Sequence, residues 1–162
     1  MGITRTVSSL AVALLFLAAS AAGQDRAGFT GTWTRIDPER SANSSDVQRM
    51  DVQGLVLKMH IDQKGSAGPL GYGFVDDRTY TIDGPVESKT DDEGRVSTVS
   101  LHREGPNLVF VRTTTEGLNV TTEREVWSVS ADGTTLTKAR ETTDWRGTKT
   151  GTTVYQRTTD GR

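Results

Sequence analysis

The 162-residue chain contains no cysteine and only two histidines, and both shortages narrow its chemistry. Without thiols no disulfide can staple the fold, so stability must come from packing and hydrogen-bonded ladders. A lipid-modified amino-terminal cysteine is excluded as well. Charge of one sign is also missing. Nineteen Lys and Arg stand against 21 Asp and Glu, for a net charge of -2, and they are dispersed along the chain. Nucleic-acid and membrane-surface binding both need clustered Lys and Arg, and neither footprint is present. Apolar residues are scarce at 33% of the whole chain, whereas ordinary domains reach about 45% on a definition that includes Gly. Past residue 23 no stretch keeps apolar residues at i, i+3, i+4, i+7 for long enough to make a helix. Residues 44–51, capped by Ser44 or Ser45, are the one candidate, for two turns. Threonine fills the shortfall, and its branched Cβ favours pleated, half-buried surfaces.

The one long apolar run belongs to a leader. Arg5 supplies a positive start, Leu10 to Leu17 an apolar middle, and Ala18 to Gly23 the small residues that a signal peptidase requires. The run is shorter than the ~20 residues of a spanning helix. The expectation is therefore a signal peptide over 1–23 and one soluble domain over 24–162, secreted or periplasmic.

That domain reads as eight strands, at about 31–36, 52–63, 78–82, 95–103, 108–115, 119–129, 135–143 and 151–157. In the second, Leu55, Leu57, Met59 and Ile61 share one face. Asp132-Gly133 between alternating runs is a hairpin signal. Turns every 8–14 residues give an all-β, up-and-down antiparallel meander, and about eight such strands remove their edges by closing into a barrel.

The frame Phe29-x-Gly31-Thr32-Trp33-x5-Glu39-x-Ser41, the stretch Ser130 to Thr137 and the closing Val154-Tyr155-Gln156-Arg157 resemble bacterial secreted lipocalin-like proteins. The resemblance spans about 29–157. It implies that Trp33, following Gly31, plugs the closed end of the barrel. It also implies that a basic residue covers that ring: Arg157 of the last strand, with Arg140 as the second candidate. Other blocks of classical lipocalins have no clear match here, so no ligand class transfers.

The residues offer little catalytic chemistry. His60 and His102 lie on separate strands, with no cysteine or carboxylate at metal-ligand spacing and no motif tying either to a nucleophile. Asp76-Asp77 and Asp91-Asp92-Glu93 sit at turn-like sites, where Asp caps backbone. No catalytic residue, metal or cofactor is assigned. Asn43-Ser44-Ser45 and Asn119-Val120-Thr121 match the glycosylation acceptor pattern, read here as accidental. The glycine-rich 65–73 stretch, with Tyr72, reads as a flap or a long hairpin. Trp127 reads as core, and Trp145 either as a rim anchor for a ligand or partner or as a ring packed against a neighbouring strand.

The leading expectation is a non-enzymatic barrel binding a small apolar or amphipathic molecule. Its pocket would be lined by Leu57, Met59, Tyr72, Tyr80, Leu101 and Phe110, at the end away from Trp33. The alternative is a periplasmic protein-interaction or inhibitor module with a filled barrel.

Overall fold

The computed structural model describes residues 28–36, 44–65 and 72–158. The leader at 1–23, Asp37-Pro38, Glu39, Ser41, Asn43 and most of the 65–73 stretch lie outside them. Ten strands follow one another: β1 Gly31–Ile36, β2 Ser45–Gln53, β3 Val56–Gly65, β4 Tyr72–Thr81, β5 Glu87–Thr90, β6 Val96–Glu104, β7 Asn107–Glu116, β8 Asn119–Val129, β9 Thr135–Asp144 and β10 Gly147–Thr158. They form one sheet in the order β4-β3-β2-β1-β10-β9-β8-β7-β6-β5, with every neighbouring pair antiparallel.

The all-β meander matches the expectation, but its strand count and closure do not. The run expected at 52–63 is a hairpin of two strands, reversed at Gly54 with φ 62°. Residues 44–51, read as a helix candidate, are instead mostly β2, whose inward residues Asp46, Gln48 and Met50 alternate with half-exposed ones. β5 was not foreseen at all: its four residues Glu87 to Thr90 are all exposed, so no apolar period marks them.

The ring also stays open. β4 and β5 are the sheet's two edges and share no ladder. At one end of the gap Ile82 bridges to Leu101 in parallel sense. There the Asp83 N–H donates to the Leu101 carbonyl at 2.8 Å and the Ile82 N–H to the Leu55 carbonyl at 2.7 Å. Asp83 sits in the left-handed region at φ 58° and its Oδ1 accepts the Arg103 N–H at 2.9 Å. Gly84 and Pro85 follow at once. β5 then begins too late and ends too soon to cover the ten residues of β4, and its Glu87 and Lys89 mark a charged edge.

Alternate turns of a meander fall at alternate ends. One end therefore collects the turns at Gly54, Gly105 and 130–134, and the other those at 91–95, 117–118 and 145–146. The first end holds the dry core: Phe29, Trp33, Leu57, Ile82, Leu101, Leu108 and Leu136 are all buried there. Trp33 is opposite Arg157 in the β1–β10 ladder, and the Arg157 guanidinium lies 4.5 Å from its ring centroid. Gly31, at φ 149°, is where a Cβ would sit 3.4 Å from Arg157 Nη1. Gly31→Ala is therefore expected to cost about 1–3 kcal/mol through backbone strain, read as a lower urea midpoint at unchanged slope.

Candidate functional site

Above that dry layer the barrel wall encloses a cavity of about 420 Å3. Two tight turns set its geometry. At 130–134, Ser130 N–H donates to the Thr135 carbonyl, Gly133 takes φ 71°, and Asp132 Oδ1 accepts the Thr134 N–H at 3.1 Å. The resulting register places Trp127 across from Lys138 and Glu125 across from Arg140. Gly117, at φ 58°, reverses β7 into β8 and sets Phe110 against Glu125 and Arg112 against Glu123. Because side chains alternate across a strand, all of these point into the lumen together.

One wall is aromatic. Tyr80 meets Phe110 edge-on at 5.6 Å between centroids, and Phe110 is stacked on Trp127 at 6.0 Å and 12°. Two cations lie against this ladder, one at its middle ring and one at its Trp127 end. Arg112 lies 5.3 Å from the Phe110 centroid, and Lys138 Nζ lies 3.9 Å from that of Trp127. Such contacts are worth about 0.5–2 kcal/mol each, more where water is excluded.

The facing wall is a hydrogen-bonded polar chain. Lys138 Nζ donates to Gln48 Oε1 at 2.7 Å, and Gln48 Nε2 donates to the Tyr155 hydroxyl at 2.7 Å. The Tyr155 hydroxyl donates in turn to Asp46 Oδ2 at 3.3 Å, an oxygen that also accepts from Gln63 at 3.2 Å. Glu125 is already engaged, by Arg140 at 2.6 Å and by the Trp127 indole N–H at 2.8 Å. Among the described residues Lys138 and Arg112 therefore meet no carboxylate at ion-pair distance, although both line the cavity.

Burial dominates the titration of this cluster. Desolvation lowers the Lys138 ammonium from 10.5 to about 8, with Glu125 and Asp46 opposing the shift and Arg140 and Arg78 adding to it. Desolvation, followed by the nearby Asp46 charge, pushes the Tyr155 phenol well above its usual 10.0.

A second cavity, of about 600 Å3, fills the seam left between β4 and β5. Asp76 and Arg78 of β4 line one side, Glu87 and Lys89 of β5 the other, with Arg95 and Arg112 behind. Arg78 and Arg112 line both cavities, so the seam and the lumen share a cationic boundary.

Of the residues singled out in the sequence, Met59, Tyr80 and Phe110 line the lumen. Leu57 and Leu101 are buried in the dry core and do not line the lumen. Tyr72 opens β4 opposite Gly65, and its side chain lies outside the described residues. His60 binds Asp77 on the outer face at 2.8 Å, and His102 binds Glu104 at 3.2 Å; both rings are over a third exposed and neither lines the lumen. Asp91 caps its own turn, accepting the Glu93 and Arg95 N–H groups. Trp127 is a lumen wall, while Trp145 stands 76% exposed at the open end, with the Arg146 guanidinium 5.2 Å from its ring.

Sequence reading passed over Asp46, Gln48, Arg112, Glu125, Lys138 and Tyr155 as site residues. A signal was present: counting outward from Asp132-Gly133 pairs Glu125 with Arg140, a charge match that a solvent-facing reading leaves without a purpose.

No family model and no curated protein matches the chain. Solved structures do match in fold. One is a Schistosoma mansoni fatty acid binding protein in complex with arachidonic acid, at TM-score 0.51 and 14% identity over 83% of this chain and 99% of that one. Another is a secretory abundant heat soluble (SAHS) protein from Ramazzottius varieornatus, at TM-score 0.51 and 13% identity over 81% and 96%. At such identities the likeness is one of architecture, and this chain shares the up-and-down antiparallel β fold of both.

Proposed function

We propose that this chain is an exported, non-enzymatic barrel that binds one small amphipathic molecule with an acidic head. One observation carries the reading: Lys138, a buried ammonium on the wall of an open cavity, meets no carboxylate among the described residues. Burying an ammonium with no carboxylate in contact costs several kcal/mol, and a ligand carboxylate placed against it recovers much of that. The Tyr80–Phe110–Trp127 ladder supplies the apolar surface for the rest of the molecule. A purely apolar ligand fits less well, since half the lumen is charged or amide-bearing. A volume of about 420 Å3 is at the small end of the ~300–1,000 Å3 usual for small-molecule sites. That space also weighs against the interaction-module alternative, which required a filled interior. The fold of the fatty acid binding protein, which holds arachidonic acid, supports a lumenal ligand at the level of architecture. Export through the 1–23 leader belongs to the same proposal, and amino-terminal sequencing of the protein from an envelope fraction tests it.

Calorimetric titration with dodecanoate, dodecanol and dodecyltrimethylammonium tests the head group. Dodecanoate is expected to bind saturably and dodecanol about tenfold or more weakly, since a charged hydrogen bond contributes about 1.5–3 kcal/mol. Lys138→Met is expected to erase that difference. Equal binding of the cationic amphiphile, or no saturable binding at all, would overturn the reading.

A further inference from the structure

We propose that Lys138 also acts as a nucleophile in the lumen, capturing small aldehydes as an imine. The proposal rests on the lumen being a ligand site, but it asks a different chemistry of the same side chain. Lys138 Nζ is buried in the wall of a cavity, against the Trp127 face, with Gln48 Oε1 as its one hydrogen-bond acceptor among the described residues. No carboxylate is in contact to hold the ammonium form. With one N–H directed to Gln48, the lone pair of the neutral amine is left for the cavity. Asp46 on β2 and Glu125 on β8 favour the ammonium, and Arg78 on β4 and Arg140 on β9 oppose it. Desolvation outweighs them and leaves a value of about 8, the condition under which a buried lysine serves as a nucleophile.

The chemistry balances with nothing added but the aldehyde. The Nζ lone pair attacks the carbonyl carbon and a C–N bond forms. The C=O electron pair moves to oxygen, which takes up a proton as nitrogen releases one. The carbinolamine hydroxyl then leaves as water and nitrogen loses its second proton, giving R–CH=N–Lys138. Tyr155, whose phenol is held protonated and whose hydroxyl is 2.7 Å from Gln48 Nε2, is a neutral hydroxyl on the same polar wall. A protonated imine keeps its positive charge on the Trp127 face, so the cation–π contact survives the reaction. The Tyr80–Phe110 pair is left to pack against the aldehyde's apolar body.

The test incubates the full chain with decanal and cyanoborohydride at pH 7, followed by intact mass and peptide mapping. The exposed Lys149 on β10 serves as an internal control within the same molecules. The lowered pKa of about 8 leaves Lys138 a far larger share of free amine at neutral pH than an ordinary lysine amine has. Allowing for its lower intrinsic nucleophilicity and hindered access, labelling at Lys138 is expected to exceed that at Lys149 by about tenfold or more. An adduct at Lys138 as the main lysine product, counted apart from the α-amino terminus, lost in Lys138→Arg and slowed by excess dodecanoate, would support the proposal. Equal labelling of all the lysines, or none at Lys138, would overturn it. If dodecanoate still binds in that case, the carrier reading stands alone. Labelling at Lys138 with no dodecanoate binding would instead remove the acidic-head reading and keep the imine.

Discussion

Trp33→Ala should lower the unfolding free energy by about 3–5 kcal/mol, the range for deleting a large buried ring. Its side chain is fully buried at the closed end, and its indole N–H donates to the Phe29 carbonyl at 2.9 Å. The loss extends beyond the cavity. Arg157 spans the Trp33 face while donating to the carbonyls of Gly28 at 2.6 Å and Thr30 at 3.1 Å. Removing the ring takes away the surface that fixes this guanidinium, and with it the tie between β10 and the residues preceding β1. In a domain with an apolar share this low and no disulfide, such a loss is a large part of the ~5–15 kcal/mol a typical fold retains. Urea unfolding followed by circular dichroism checks it. A loss below about 1.5 kcal/mol would show that the closed end repacks without the indole.

Lys138 should leave a second large signature, in the pH dependence of stability. Its folded value is about 8 against an ordinary 10.5. Between those two values the unfolded chain binds more protons than the folded one, so the unfolding free energy rises with pH. The cost of burying the ammonium is fully present below about pH 8 and is relieved as the solution approaches pH 10.5. Over the whole interval the gain amounts to about 3 kcal/mol. Tyr155 works the other way: its raised value favours the unfolded, ionised phenol once the pH passes 10. The clean measurement is the difference between the wild type and Lys138→Met from pH 7 to 10, in which the Tyr155 contribution largely cancels. That difference should shift steadily in favour of the wild type. A flat difference would mean that the amine titrates as it does in water.

How far these features could be read from the chain depended on which side of the wall was apolar. β1 was legible to its last residue, and β7, β8 and β9 nearly so, because Leu108, Phe110, Trp127 and Leu136 keep period with turn signals at Gly117 and Asp132-Gly133. β2 was hidden because its inward side begins with Asp46 and Gln48, and a polar residue facing a lumen looks like one facing water. Gly54 merged two strands into one because Val52 and Leu57, which pair across the reversal, are both apolar. β5 has no buried residue to reveal it. The same blindness covered the site: Met59, Tyr80 and Phe110 stood out as apolar, whereas Lys138 and Glu125 passed for surface charge. Only the hairpin register, a relation between strands, turns them inward.

The missing ladder between β4 and β5 gives the molecule a side door. Parting the wall there breaks no row of main-chain hydrogen bonds, because the Ile82–Leu101 clasp at the foot is a single bridge. Arg78, ion-paired with Asp76, and Arg112 line both the slit and the lumen, so the two spaces meet at these side chains. For the ligand proposed above, this is a route separate from the rim where Trp145 stands exposed.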